Sequence, residues 1–137
     1  MSQENVEIVR RFFEEFANSD PRREGFWREA STYLDPDFEY HEDEAWPGAG
    51  TYRGIPAFRQ VVSGYSQAFA EMRLEAEEIL DAGDRVLALT SRAARGQHGA
   101  DAVMHQAGIF TVRRGRVRSW QVFFDRSEAL KAAGLAE

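Results

Sequence analysis

Apolar residues return every three or four positions through the first half of the chain and at nearly every second position through the last half. Val6, Val9, Phe12, Phe13 and Phe16 stand at helical spacing with Glu and Arg between them, which predicts an amphipathic helix over residues 4–18. Asn18-Ser19-Asp20-Pro21 stops it. A shorter helix is expected over 24–34, around Phe26, Trp27, Ala30 and Leu34. Asp35-Pro36-Asp37 reads as a turn and 38–41 as a short strand. Beyond a loop containing Trp46-Pro47-Gly48-Ala49-Gly50, Pro56 opens a third helix with Phe58, Val61, Val62, Tyr65, Ala68 and Phe69 as its buried stripe. From residue 74 the period becomes strand-like. Strands are expected over 74–80 and 85–94, joined by the turn Asp81-Ala82-Gly83-Asp84, and over about 102–112 after a polar loop at 95–100. Arg113-Arg114-Gly115-Arg116 then turns a hairpin that puts Phe110, Val112, Trp120, Val122 and Phe124 on one face. Asp125 and Glu128 cap a last helix that Gly134 ends. This order predicts an α+β fold, helices covering a curved sheet.

Composition narrows the possibilities. A chain of 137 residues with 43% hydrophobic and 12% aromatic residues fits one domain over 1–137 with a substantial core. No apolar run approaches the roughly 20 residues of a membrane span, and the N-terminus lacks the basic flank and apolar stretch of a signal peptide, so a cytoplasmic location is expected. The absence of cysteine excludes disulfides, thiolate nucleophiles and Cys-ligated metals. A net charge of −6 argues against nucleic acid, because that affinity rests on neutralising phosphates. The arginines of 113–118 sit at a hairpin tip, where they solvate the turn. Histidines 41, 98 and 105 fall on different elements, and the acidic stretch 39–44 lacks a calcium-loop pattern. No Gly-rich loop joins a strand to a helix. Neither metal nor cofactor is implied.

Several phrases taken together resemble one family. They are Leu34-Asp35-Pro36-Asp37-Phe38-Glu39-Tyr40-His41, Gly50-Thr51-Tyr52-Arg53-Gly54, Ala82-Gly83-Asp84-Arg85-Val86, the stretch from Phe110 to Val117, and Phe124-Asp125-Arg126-Ser127-Glu128-Ala129-Leu130. In order and spacing they are similar to the SnoaL-like branch of the nuclear-transport-factor-2-like superfamily. The resemblance implies a cone: a curved mixed or antiparallel sheet, covered on its concave face by about three helices around an open pocket. It also implies a homodimer through the outer sheet face. Family members include polyketide cyclases, ketosteroid isomerases, epoxide hydrolases, dehydratases and non-catalytic scaffolds, so fold leaves activity open.

Residue by residue, two of those chemistries fit poorly. The isomerases hold an enolate oxygen with a tyrosine on the first helix and a carboxylic acid before the penultimate strand's apolar run. Those positions correspond to Phe12 and Gly108, neither of which can donate. The epoxide hydrolase pattern Arg-x-Asp and Trp-x-Asp meets Arg92-Ala93-Ala94 and Trp120-Gln121-Val122, without either aspartate. The base position is better populated. Counting forward from Tyr33 places His41 there, and a shift of one places Glu42. Alternation leaves the choice open, since Phe38, Tyr40 and Glu42 share one face while Glu39, His41 and Asp43 share the other. Either type can move a proton: histidine titrates near neutrality, and a carboxyl among apolar walls is a weaker acid than an exposed one. The bland alternative is a strand end in solvent.

Other candidates carry similar alternatives. Gln106 shares parity with Gly108 and Phe110, so it either holds a ligand's polar group or completes a buried network. Trp120 either orients a ligand through its indole N–H or is core. Tyr52 either edges the pocket or packs structurally. Phe12, Phe16, Trp27 and Phe110 supply wall or core on any reading. Arg92 and His105 are expected to face outward, as are Val86, Ala88 and Thr90, which would then serve a dimer or a protein partner. The expectation is a pocket for a small apolar oxygenated molecule. It is either a cofactor-independent isomerase, cyclase or dehydratase with His41 or Glu42 as proton carrier, or a non-catalytic ligand-binding or dimerisation module.

Overall fold

The computed structural model describes residues 2–17, 19–45, 49–96 and 101–135. The centre of the Trp46-Pro47-Gly48 loop and most of the polar loop at 97–100, with His98, lie outside the described residues.

The first helical stretch changes pitch where its aromatics crowd. Helix α1 (Ser2–Arg11) passes into a π-helical turn at Phe12–Phe16, closed by the Ala17 N–H donating to the Phe12 carbonyl at 2.9 Å. The wider turn keeps Phe12, Phe13 and Phe16 all buried within five residues. The second helix is shorter than expected, because α2 covers Phe26–Ala30 and Leu34 already belongs to strand β1 (Leu34–His41). The Asp35-Pro36-Asp37 segment is likewise a bulge inside that strand, not a turn before it: the β1 register slips between Leu34 and Glu39. Local composition signals a turn at such a segment. Tertiary pairing keeps it extended.

Strand β2 (Thr51–Arg53) leads to α3 (Ile55–Ala68), which Pro56 opens as expected. Four long strands follow: β3 (Phe69–Ala82), β4 (Arg85–Gly96), β5 (Asp101–Arg113) and β6 (Arg116–Phe123). They form one six-stranded sheet in the order β2-β1-β6-β5-β4-β3, in which only β1 and β6 run parallel. The β5–β6 turn is a two-residue one with Arg114 at φ 53° and Gly115 at φ 78°, the positive pair that a tight hairpin of this twist demands. Helix α4 (Arg126–Ala132) starts at Asp125, whose carboxylate accepts from the Ser127 and Glu128 amides. It closes at Gly134 with the Leu135 N–H reaching the Leu130 carbonyl.

Two cores result. The π turn, α2 and α3 cover the concave face, where Phe38, Tyr40, Val86, Ala88, Phe110, Trp120 and Val122 are buried. On the opposite face α4 buries Ala129 and Ala133 against Leu87, Ala107 and Ile109. The expected orientation of β4 is therefore corrected: Val86, Ala88, Thr90 and Arg92 point inward, and Leu87 and Leu89 point out under α4. Over 86–89, where both faces are covered, β4 is apolar on both sides, and alternation alone cannot assign them. Among the described residues no helix is long and apolar enough to cross a membrane.

One ion pair ties the bulge to the hairpin. Asp35 is 4% exposed and accepts from Arg113 Nε at 3.0 Å, Arg113 Nη2 at 2.8 Å and the Asp37 amide at 2.8 Å. The Arg113 hydrogen bonds hold its carboxyl below the usual range. A depressed carboxylate stabilises the fold above its unfolded value, about pH 4, and that contribution fades as pH falls through the folded value. Asp35→Asn should thus lower stability by about 1–2 kcal/mol at neutral pH, a figure discounted because Arg113 is half exposed. The difference from wild type should shrink below about pH 4 in urea titrations.

Candidate functional site

Strand parity selects what faces the cone. Phe38, Tyr40 and Glu42 point under α3, and the Glu42 amide donates to the Gly50 carbonyl at 3.1 Å, carrying the alternation one residue past the strand. Glu42 is only 7% exposed. Its Oε2 accepts two phenolic hydroxyls, Tyr40 from its own strand at 2.5 Å and Tyr65 from α3 at 2.6 Å. Among the described residues, Oε1 has a long contact with the Asp43 amide at 3.4 Å. Burial, with the nearby Glu42 charge, pushes the ionisation of both phenols well above its ordinary value, while Arg92 pulls the other way. Both phenols therefore remain protonated donors at any physiological pH.

Arg92 reaches this cluster from the middle of β4. It is 5% exposed, and its guanidinium carbon lies 5.8 Å from the centre of the Tyr65 ring. Trp120 on β6 completes the floor, stacked on Phe110 at 5.6 Å and meeting Tyr40 edge-on at 5.1 Å. Its indole nitrogen stands over Gly108: a Cβ there would lie 2.6 Å from Nε1. The bare glycine makes room for an indole N–H.

Of these groups, Tyr40, Tyr65, Arg92 and Trp120 border a cavity of about 470 Å³, within the range of small-molecule sites. Its wall is Phe12, Phe16, Phe58, Tyr40, Tyr65 and Trp120, with Arg92 at the polar end, and Asp20, Arg22, Glu71 and Arg73 also border it. Of the residues singled out from sequence, Phe12, Phe16 and Trp120 line this space, and Glu42 stands behind the two tyrosines. Phe110 is fully buried behind Trp120. Trp27 packs edge-on against Phe16 and Phe58, and Tyr52 lies 6.4 Å from the Tyr40 ring. Gln106 is 2% exposed with its amide nitrogen 3.9 Å from Met104 Sδ, and its Oε1 has no partner among the described residues. His41 is on the other face, where Nδ1 is 2.9 Å from Thr51 Oγ1 and Nε2 is 3.3 Å from Glu39. His105 lies outside as expected, beside Ser91 and Glu77.

Tyr40, Tyr65 and Arg92 were not singled out for chemistry from sequence. The Tyr40–Glu42 spacing of two was a usable signal, since both must share a face. Tyr65 was legible only as part of an apolar stripe. Among the described residues no group of three or more His, Asp or Glu side chains is placed to hold a metal ion.

Residues 9–120 match the SnoaL-like domain. The chain belongs to that family. Solved structures agree on the fold. An NTF2-like protein of unknown function from Burkholderia pseudomallei K96243 superposes with a TM-score of 0.74 at 21% identity, over 93% of this chain and 95% of that one. TerC, co-crystallised with polyporic acid, gives 0.74 at 22% identity over 96% and 98%. An NTF2-like protein from Burkholderia xenovorans LB400 gives 0.65 at 27% identity over 96% and 95%. No functionally curated protein matches the sequence. Within this SnoaL-like chain, the two places where the epoxide hydrolase pattern carries aspartates hold the buried, apolar Ala94 and Val122.

Proposed function

We propose that this SnoaL-like protein is a cofactor-independent proton-transfer enzyme, of isomerase, cyclase or dehydratase type, acting on a small apolar oxygenated molecule. One observation carries the reading: a buried carboxylate that accepts two protonated phenols, both from tyrosines that line an aromatic cavity. Glu42 is the base, acting through Tyr65. His41 is set aside because its ring is engaged by Thr51 and Glu39 on the far face. In the proposed step the Tyr65 hydroxyl, which lines the cavity, takes a proton from a carbon next to a carbonyl as it passes its own proton to Glu42 Oε2. The C–H electron pair becomes the enolate, and its oxygen meets the indole N–H of Trp120. Returning the proton to another carbon completes an isomerisation; expelling hydroxide from the β-carbon completes a dehydration. Phe12 and Phe16 hold the hydrocarbon body, and Tyr52, Trp27, Phe110 and Gln106 hold the lining in shape from behind. TerC's co-crystallisation with polyporic acid is a precedent for a small organic molecule on this scaffold.

The test needs no known substrate. The protein is incubated in D₂O with benzoylacetone or β-tetralone, and α-proton exchange is followed by NMR. Exchange above the buffer rate that disappears in Glu42→Gln supports the proposal. Binding without exchange points to the second reading, a non-catalytic ligand-binding module, which Phe12 and Gly108 at the usual donor positions favour. The homodimer would use the outer face of β3–β5 beyond the reach of α4, around Val103, which is 63% exposed. Sedimentation should then find a dimer for wild type and a monomer for Val103→Glu.

A further inference from the structure

The proton-transfer step leaves one buried charge without a task. Arg92 is 95% shielded from solvent in the middle of a strand, yet among the described residues no carboxylate forms an ion pair with it. Its one described close partner is the face of the Tyr65 ring. The buried Glu42, which acts on the same two tyrosines as Arg92, already receives two phenolic hydrogen bonds. A guanidinium held among apolar walls without an anionic partner is costly. The cavity it borders is where compensation can come from.

We infer that the cavity takes an aromatic or otherwise planar monoanion, whose paired anionic oxygens dock on the guanidinium of Arg92. This rests on the pocket proposed above and names its ligand class. A guanidinium presents its N–H groups in one plane, as a two-pronged donor for a carboxylate or an ionised β-dicarbonyl. The walls formed by Phe12, Phe16 and Trp120 match a flat apolar body. The other charged residues bordering the cavity do not supply the selectivity. Arg22 is tied to Asp20, Arg73 borders the cavity together with the acidic Glu71, and the whole chain carries −6, which repels anions at long range. Anion preference therefore comes from the floor, where screening by salt is weak.

The experiment compares two ligands of nearly the same shape, β-naphthoate and β-naphthylmethanol, by calorimetry at low and high salt. Wild type should bind the carboxylate about 10–100-fold more tightly than the alcohol. That preference should largely survive salt, vanish in Arg92→Gln and persist in Arg73→Gln. Equal binding of the two ligands by wild type overturns the inference and leaves the pocket reading standing. So does a preference that is lost with Arg73 and kept without Arg92. Binding of neither ligand overturns both. If Arg92→Gln does not fold, Arg92→Lys decides: it keeps the charge and loses the fork, so it should retain only part of the preference. Failure of the deuterium exchange with naphthoate selectivity intact removes the proton transfer alone.

Discussion

Glu42→Gln should slow deuterium exchange into an enolisable ketone by about 10²–10⁴-fold, the usual contribution of a positioned general base. The fold should survive, because the amide oxygen still accepts the Tyr40 and Tyr65 hydroxyls that Oε2 accepts now. Far- and near-UV circular dichroism should overlay those of wild type. The same change removes a negative charge from the neighbourhood of Arg92, so β-naphthoate should bind the variant at least as tightly as wild type. Loss of exchange with binding retained separates a base from a mere structural acid. Loss of both would mean that the Tyr–Glu–Tyr cluster only holds α3 to β1, and an unchanged exchange rate would remove Glu42 from the chemistry.

Trp120→Ala should lower stability by about 3–5 kcal/mol, the range for emptying a buried aromatic site. Four other rings, Phe110, Tyr40, Phe12 and Phe58, lie within 6.4 Å of its centre, so the hole opens between both walls of the cone and cannot easily collapse. In a domain of this size the midpoint of thermal unfolding should drop by roughly 10–20 °C. Trp120→Phe should recover most of that loss and none of the indole hydrogen bond. If the proposed mechanism holds, its exchange rate should fall much further than its stability. A Trp120→Ala protein that melts within a few degrees of wild type would show that the cone is closed by something other than this aromatic stack.

The sheet and its helices could be read from the chain because their signals are local. The hairpin of 113–116 needs two residues at positive φ and has a glycine in the second place. The last helix has its carboxylate cap at Asp125 and its glycine stop at Gly134. The phrases shared with the SnoaL-like family tie these signals into one order, and the match over residues 9–120 bears that order out.

The candidate site was harder to read, for two reasons visible in particular residues. On β1 both faces carry polar groups, so His41 and Glu42 were equivalent until the pairing of Tyr40 with Tyr52 and Trp120 set which face meets the helices. On β4 the stretch 86–89 is apolar on both faces because α4 covers the far side, so alternation puts Arg92 outward although it points into the cone. Periodicity reports that a residue alternates with its neighbours and not which side is inside. Tyr65 and Glu42 stand 23 residues apart, and no local pattern announces a hydrogen bond between them. Local backbone preferences and turn chemistry, written residue by residue, were thus enough for most elements, their order and the family, but not for the bounds of α2 and β1 or for β2. The meeting of Tyr40, Glu42, Tyr65, Arg92 and Trp120 follows from strand register and helix docking, which are settled by the burial energy of the whole molecule.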